Sequence, residues 1–518
     1  MSYQRSDWVK NRPDVGARKI IHPMAAHSIS FRAADPRHLR SVIYAGAALA
    51  LIATLFANDP FAYLCVTIPV LLPSFLWVNS GAFGIPVLPT ISALFYVYYA
   101  LPLILGNTLT LFKPSELIWA GSSVGLFLTA ASLAAWPFFG VVRSPMISPT
   151  GSRPNQYARS IRTRAANNIA VAEQLKLIFL GLAGGILFNY AFLAGYLTFL
   201  GSFSSVVRAG VMPLASVACY MMGFARGSGS LTGERWAFAL CGFILLTLLS
   251  MSGLFLVGAA MNGIAILLGY VLGARRVPWA VLGCLFLVFG ILNAGKGHIR
   301  DQYWAPQSQS LQNSSILKLP GMMANWFVTG LENIGSSEQT GPSLLERASL
   351  LHMVLTVQQV TPRIIPYLDG KTYEMLPAML VPRFLQPDKI ESQAALNFLS
   401  VRYGRQIAEA QSSTTIGWGL VSEAYANFGN VGVILVGAVF GVLCGFLMRL
   451  SANAAPVSLA MLITIASTLT LCDLEADFSY MMVTLFQTIV GLILFATLIK
   501  SMRRKPAPAL HHAQRNLR

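Results

Sequence analysis

Residues 429–448 read Gly-Asn-Val-Gly-Val-Ile-Leu-Val-Gly-Ala-Val-Phe-Gly-Val-Leu-Cys-Gly-Phe-Leu-Met, a run without a single charged side chain. An α-helix of about 20 such residues crosses the hydrocarbon core of a bilayer. The whole chain agrees with this stretch, because 55% of its 518 residues are hydrophobic and only 11% are charged. An ordinary soluble domain has about 25% charged residues. The sequence therefore predicts a polytopic membrane protein and excludes a soluble enzyme, a disordered chain and a secreted disulfide scaffold.

Working outward from this run, we predict an all-α membrane protein with about 12 transmembrane helices. The predicted spans are residues 41–57, 61–79, 84–106, 116–139, 176–197, 205–224, 235–252, 254–273, 278–295, 429–448, 456–473 and 478–499. Two of these are nearly fused, and Ser252-Gly253 is the predicted break between them.

The distribution of basic residues predicts the orientation of these helices. An even number of spans places both termini on one side, and that side holds the basic arm 1–40, the basic loop 141–176 and the basic tail 500–518. Lysine and arginine are enriched in cytoplasmic loops, so we expect both termini in the cytoplasm. Basic loops that face anionic membrane lipids account for the net charge of +17, and no nucleic-acid partner is predicted.

One long segment separates the first nine predicted spans (41–295) from the last three (429–499). Segment 296–428 contains ten basic and ten acidic residues, and it is rich in aromatic side chains. This composition predicts a large, mainly helical external loop rather than a disordered insert. Predicted helices cover residues 322–331 (at the membrane interface), 343–361 (opened by a Ser343/Glu346 capping box), 391–409 and 419–427, with a turn at 369–370 and an extended segment at 380–389.

Charged residues of this loop suggest where chemistry could occur. Arginine binds phosphate through two parallel hydrogen bonds, and a carboxylate or histidine can accept a proton from an attacking hydroxyl. Structural ion pairs on a domain surface are the alternative interpretation. The candidates are Arg347, Arg363, Lys371, Arg383, Lys389, Arg402 and Arg405 for phosphate, and His352, Asp388, Glu391 and Glu423 for the proton.

A few further residues are notable in the spans and their ends. Arg208 lies in the predicted sixth span, where an ionisable side chain is a functional candidate unless it reaches the interface. Asp473 and Asp477 share a helix face and could bind a cation or act as a base, although a solvated external turn is the preferred interpretation. The six cysteines lie in apolar runs without metal-ligand spacing, so neither a metal site nor a cofactor is predicted.

Three motifs of the external loop, read together, resemble bacterial oligosaccharide repeat-unit polymerases, the Wzy-type O-antigen and exopolysaccharide polymerases. The motifs are Tyr367-Leu-Asp-Gly-Lys-Thr-Tyr373, Val381-Pro-Arg-Phe-Leu-Gln-Pro-Asp-Lys389 and Glu423-Ala-Tyr-Ala-Asn-Phe-Gly429-Asn-Val-Gly432, preceded by Arg347. The resemblance covers about residues 345–445 and extends to the topology, with many spans and one dominant late loop. It implies a GT-C-like glycosyltransferase of the bacterial inner membrane whose site faces the periplasm.

The resemblance also implies substrates, partners and residue roles. The substrate would be an oligosaccharide on undecaprenyl diphosphate, within membrane lipids, and a chain-length regulator is a further candidate partner. Arg383 and Lys389, supported by Arg347, Arg402 and Arg208, would bind the diphosphate. Glu423 is the preferred base, with Asp388 and His352 as alternatives, and Tyr403, Tyr425 and Asn427 would contact the sugar.

Two other functions share part of this pattern. An O-antigen-type ligase has the same topology and chemistry but transfers the finished glycan to a different acceptor. A transporter of polysaccharide or lipid-linked glycan would also have about 12 spans. The long external loop, the nearly charge-free spans and the lack of a repeat between the two halves count against the transporter. The Val-Pro-Arg … Asp-Lys and Glu-x-Tyr-x-Asn-Phe-Gly elements favour the polymerase over the ligase.

Overall fold

The structure is a computed structural model that describes residues 36–105, 108–139, 156–254, 256–304, 319–334, 349–381, 385–386, 388–407, 416–452, 454–455 and 458–503. Regular secondary structure in these ranges is helical, which confirms the predicted all-α class. The predictions for Arg347 and Arg383, for the start of the helix at Ser343 and for residues 382–384 and 387 of the extended segment 380–389 lie outside the described residues.

The helices before the long external segment alternate with short connections. They are α1 (Pro36–Ala53), α2 (Pro60–Asn79), α3 (Val87–Phe95), α4 (Pro102–Leu105), α5 (Pro114–Phe139), α6 (Gln156–Leu193), α7 (Ser204–Gly227), α8 (Gly233–Ser250), α9 (Val257–Ala274) and α10 (Trp279–Trp304). The break between α8 and α9 lies at the predicted place, and Leu254 there has a positive φ of 60°.

The remaining helices form the external segment and the C-terminal end of the chain. They are α11 (Leu319–Asn333), α12 (Leu351–Val360), α13 (Lys371–Glu374), α14 (Leu376–Leu380), α15 (Ala394–Arg402), α16 (Gly419–Ala452), α17 (Leu459–Leu471) and α18 (Phe478–Arg503). The short helices α13 and α14 were not predicted, because four or five residues are too few to show a helical period.

The described part of the chain contains eleven helices that are long and apolar enough to cross a membrane. One of them, Val87–Leu105, is formed by α3, a π-helical turn at Tyr96–Ala100 and α4. A twelfth predicted span corresponds to α17, an apolar helix of 13 residues. Together these are the twelve segments predicted from the sequence, and the class of polytopic membrane protein is confirmed.

The helices α5 and α16 pack closely against each other through glycine residues of α16. Gly437 and Gly441 lie against the backbone of α5, and a Cβ atom at Gly441 would lie only 2.1 Å from the Ala131 carbonyl oxygen. Gly445 continues the same stripe next to Ala135. Small residues four apart let two membrane helices approach closely and gain dispersion contacts. This contact sets the position of α16, which carries most of the candidate site.

In the external segment, α12 and α15 lie within the helices predicted over 343–361 and 391–409, and α15 is shorter than predicted. The helix predicted at 322–331 is present as α11, and it packs along α10 through the buried Trp326, whose indole donates to the Leu292 carbonyl at 2.6 Å. The predicted turn is confirmed, since Asp369 and Gly370 both have positive φ.

Because α16 depends on close backbone contact, we predict that Gly441→Ala lowers thermal stability. Overpacking a helix contact costs about 1–3 kcal/mol. Gly283→Ala is the matched control, since no atom lies within 4 Å of a Cβ at that position in α10. Since alanine has a better helix propensity than glycine, the Gly283→Ala variant should be as stable as the wild type or slightly more stable. Thermal unfolding of both purified variants in detergent checks this, and equal midpoints would contradict the packing argument.

Candidate active site

A kink in α16 creates the frame of the candidate site. Gly429 has a φ of 62° and ψ of −151°, so the helix is interrupted after Phe428 although it continues to Ala452. The helix predicted over 419–427 and the span predicted over 429–448 are therefore one helix with a kink. The kink frees backbone carbonyls, and those of Ala426 and Asn427 accept hydrogen bonds from the amides of Leu368 (3.1 Å) and Asp369 (3.3 Å).

Asn427 completes this connection between the two motifs. Its side-chain oxygen accepts from the Gly370 amide at 3.0 Å, and its Nδ2 donates to Thr372 Oγ1 and to the Glu423 carbonyl, each at 2.9 Å. The residue is fully buried. Its amide is thus engaged within the protein, where it binds the Tyr367–Tyr373 motif to α16. The predicted contact of Asn427 with substrate stays a prediction.

Glu423 lies one turn before Asn427 and has no exposed surface. Its Oε2 accepts the amide hydrogen of Phe478 at 2.7 Å, and the Thr372 hydroxyl is a second donor to the carboxyl. Its Oε1 has no hydrogen-bond partner among the described residues. The carboxyl is therefore held by one oxygen at the start of α18, while the other oxygen is free to accept.

Asp477 caps the N-terminus of α18 and meets Glu423 there. Its Oδ1 accepts from the Tyr480 amide at 2.6 Å, and its Oδ2 is buried without a partner among the described residues. Burial raises the pKa of Asp477 to about 6. The interpretation of this stretch as a solvated turn is wrong for Asp477, which is fully buried, whereas Asp473 is half-buried.

Tyr373 covers the two carboxyls. Its ring stacks on Phe428 with centroids 6.2 Å apart and meets Phe478 edge-on at 5.6 Å. Its hydroxyl is buried and lacks a partner among the described residues. Burial, and next the charges of Glu423 and Asp477, raise the pKa of Tyr373, so the phenol is neutral and can donate a hydrogen bond.

These side chains form one unit, which we call the carboxyl cluster: Thr372, Tyr373, Glu423, Asn427, Asp477 and Ser479. The Ser479 hydroxyl closes it by donating to the Thr372 carbonyl at 2.9 Å. In the described part of the chain, neither carboxyl forms an ion pair with a lysine or arginine. The sequence analysis had identified Glu423 and Asn427, and it had quoted Thr372 and Tyr373 only as part of a motif.

The predicted phosphate-binding cations lie around this cluster rather than in it. Lys389 is half-buried, whereas Arg402 is exposed at the end of α15 beside Tyr403. Arg208 is exposed on α7 and close enough to Tyr480, in the first turn of α18, to interact with it electrostatically. Arg208 therefore has a neighbour at the same end of α18 as the carboxyl cluster.

The predicted sugar-contacting tyrosines occupy the other face of the α16 kink. Tyr425 lies about 200° around the helix from Glu423, and its hydroxyl accepts from Trp119 at 3.4 Å and bonds to Tyr367. The Tyr403 hydroxyl is bonded to Thr361 at 2.9 Å. Trp119 keeps about half of its surface exposed. Aromatic rings with polar tips can bind sugar rings, and the sequence analysis had missed Trp119 because it lies in an apolar span.

The two other predicted bases are placed differently from Glu423. His352 has its Nδ1 2.8 Å from the Ser349 hydroxyl and its ring edge-on to Phe112 at 6.0 Å. Asp388 is exposed. Neither belongs to the carboxyl cluster, so the structure brings Glu423 and Asp477 together and leaves His352 and Asp388 apart from them.

The fold and the cluster define a class, an integral membrane protein in which the segment between α10 and α16 docks, through residues 367–373, on the kinked start of a late membrane helix. Residues 349–505 match a family model described as O-antigen polysaccharide polymerase Wzy. The predicted resemblance to Wzy-type polymerases is thereby confirmed over this region, which includes the whole carboxyl cluster. The match supports the polymerisation of O-antigen repeat units from a lipid-linked oligosaccharide. No curated protein and no solved structure matches the chain.

Because the Asn427 side chain makes three hydrogen bonds, two of them to the Tyr367–Tyr373 motif, we predict that Asn427→Ala lowers the free energy of unfolding by about 2 kcal/mol or more. Asn325→Ala is the matched control, since the exposed Asn325 makes a single side-chain bond, to Gln302. The measurement is the thermal unfolding midpoint of both variants in the same detergent. A loss at Asn325 as large as that at Asn427 would show that the connection is not specific.

Proposed function

We propose that the protein polymerises undecaprenyl-diphosphate-linked oligosaccharide repeat units into O-antigen or exopolysaccharide. The reaction would occur at the periplasmic face of the bacterial inner membrane. The observation that carries the proposal is the carboxyl cluster, which lies inside the region matched by the polymerase family. It joins two of the three motifs on which the resemblance rests.

In the proposed reaction, a hydroxyl of the acceptor sugar attacks the anomeric carbon of the donor glycan. A new glycosidic C–O bond forms, and the bond from that carbon to the diphosphate breaks. The diphosphate leaves on its lipid, and the proton of the hydroxyl passes to a base. No oxidant, metal or cofactor is needed for this balance.

We assign the base to Glu423, ahead of Asp388 and His352. Its Oε1 is free to accept, whereas Asp388 is solvated and His352 is bonded to Ser349. Because Glu423 is fully enclosed, a proton reaches it only when the acceptor, or a water molecule that contacts the acceptor, enters the cluster.

The leaving diphosphate requires cationic stabilisation as its charge develops. We assign this to Arg383, Lys389, Arg347 and Arg402 of the external segment and to Arg208 from the membrane side. Sugar contacts are assigned to Tyr403, Tyr425 and Asn427, on both sides of the α16 kink. A polyprenyl chain attached to the diphosphate would remain in the bilayer beside these helices, and a chain-length regulator is a further proposed partner.

The proposed orientation has both termini in the cytoplasm. Eleven candidate spans and the shorter α17 make an even number of crossings. The basic loops then face the anionic cytoplasmic leaflet, and the neutral segment 296–428 lies in the periplasm.

Deletion of the gene, followed by electrophoresis of surface and secreted polysaccharide, tests the proposed function. The expected product is a single repeat unit in place of long chains. Long chains retained on the carrier lipid would instead indicate a ligase, and lipid-linked units trapped inside the cell would indicate a transporter. An unchanged polysaccharide profile would contradict the proposal.

For the base, we predict that Glu423→Gln lowers polymer formation by about 10²-fold or more at an unchanged protein level, since the amide cannot accept the proton. Glu374→Gln is the matched control, because this exposed glutamate lies on α13 beside the cluster without belonging to it. Polymer length on gels and an immunoblot of the membranes give the result. Normal polymer from Glu423→Gln, with loss from Asp388→Asn or His352→Gln, would assign the base elsewhere.

A further inference from the structure

Three buried oxygen atoms of the carboxyl cluster have no hydrogen-bond partner among the described residues: Glu423 Oε1, Asp477 Oδ2 and Tyr373 Oη. Buried polar atoms in folded proteins are nearly always paired, and an unpaired carboxylate oxygen is especially costly. Each carboxyl binds a backbone amide through its other oxygen, and the Asp477 carboxyl also interacts with the amides of Leu396 and Ser479. The three unpaired atoms belong to one buried cluster, where they can bind one another or a small guest.

We propose that Glu423 and Asp477 share one proton, and that Asp477 is a positioning residue that keeps Glu423 in its base form for the proposed polymerisation. The second half of this proposal rests on the proposed function, whereas the shared proton does not. The pair then carries a single negative charge, and the Tyr373 hydroxyl donates its hydrogen to that charge.

The first support is the way in which α18 brings the two carboxyls together. The amide of Phe478 binds Glu423 Oε2 at 2.7 Å, and the amide of Tyr480 binds Asp477 Oδ1 at 2.6 Å. Both amides belong to the first turn of the same helix, so both carboxyls end at one helix N-terminus. The positive end of the helix dipole stabilises one negative charge there, but two adjacent buried charges repel each other.

The second support comes from the other charged and titratable groups around Asp477. Glu423 and Tyr373 face it from α16 and α13, and Tyr480 lies on its own helix. Asp473 and Glu475 precede it in the connecting turn, and Arg208 of α7 interacts with Tyr480. Burial raises the pKa of Asp477 to about 6, so this carboxyl takes up a proton at a pH well above the ordinary range of an aspartate.

The carboxyl of Asp477 changes how readily Glu423 accepts a proton in the proposed reaction. If a side-chain amide replaced the carboxyl of Asp477, it could donate a hydrogen bond to Glu423 Oε1. The charged form of Glu423 would then gain a donor and lose a repelling neighbour, so Glu423 would be a weaker base. With Asp477 beside it, the pair binds protons more strongly and accepts the proton of the acceptor more readily. When the pH falls below the range in which the pair holds one proton, a second proton binds and the base is lost.

The test compares the pH profile of polymer formation in membranes from wild type and Asp477→Asn. Asparagine keeps the shape of the side chain and its cap on α18, and its Nδ2 can donate to Glu423 Oε1 permanently. We expect the acid limb of the profile to shift to lower pH by about one unit, with a lower maximal rate. Asp473→Asn removes a carboxyl of the same turn that does not contact Glu423, and its acid limb should match wild type.

An acid limb that is the same in Asp477→Asn and wild type would overturn the positioning role. A uniform loss of activity at every pH, with no shift, would also overturn it, since that is what a merely structural residue would produce.

A second readout tests the shared proton without any activity. Thermal unfolding midpoints are measured at pH 8 for Glu423→Gln, Asp477→Asn and the double variant. Each single change breaks the same shared-proton contact, so the stability change of the double variant should differ clearly from the sum of the two single changes. Glu423→Gln combined with Asp473→Asn is the control pair and should be additive. Additive stability changes for Glu423 and Asp477 would overturn the shared proton.

The two proposals can fail separately. If gene deletion leaves the polysaccharide unchanged, the polymerase function fails, yet the unfolding cycle still reports on the proton pair. If deletion removes the long chains but the cycle is additive, the function stands and the shared proton is wrong.

Discussion

The interruption of α16 at Phe428-Gly429 is the constraint on which the site depends. In a continuous helix, the carbonyls of Ala426 and Asn427 would accept hydrogen bonds from amides of the same helix. They would then be unable to bind the backbone amides of the segment Tyr367–Gly370. The positive φ of Gly429 releases them, and the segment docks through three amide donors, from Leu368, Asp369 and Gly370. A side chain at Gly429 would also meet the Tyr367 hydroxyl at 2.8 Å. Glycine is therefore required at this position both by conformation and by space.

The kink can position the site because contacts on both sides of it hold α16 in place. Below the kink, the glycine stripe of α16 contacts the backbone of α5. Near the kink, Ser123 of α5 donates to Asn430 at 2.8 Å and accepts from Gln358 of α12 at 2.8 Å. This hydrogen-bond chain connects the external segment, α5 and α16 across more than two hundred residues of sequence. The docking surface for the Tyr367–Tyr373 motif is thus set in place by the membrane helices.

The carboxyl cluster shows how a polar site can form at the edge of an apolar bundle. Each of its residues is supplied by an end or an interruption of a helix, where backbone groups are not used internally. The amides at the start of α18 bind both carboxyls, and the side chain of Asn427 binds the segment that covers them. The same arrangement divides the kink into two faces, with carboxyls on one and Tyr425 on the other. Asn427 lies on the carboxyl face, so the proposed sugar contacts extend over both faces while the proposed base lies on one.

The sequence by itself determined the class of protein, the positions of its membrane helices and the resemblance to Wzy-type polymerases. Those properties follow from local patterns, because a run of apolar residues long enough to cross a bilayer has few alternative structures. It also identified Glu423 and Asn427, since they lie one helical turn apart in a recognisable motif. Only the tertiary structure decided that Asp477 is buried beside Glu423, that Tyr373 covers both and that His352 and Asp388 lie elsewhere. The physical reason is that burial and pairing of side chains depend on contacts between segments far apart in the chain. The position of Asp477, shortly after an apolar helix, is compatible with a solvated turn. In the folded protein, α16 packs against α18 and shields Asp477 from water.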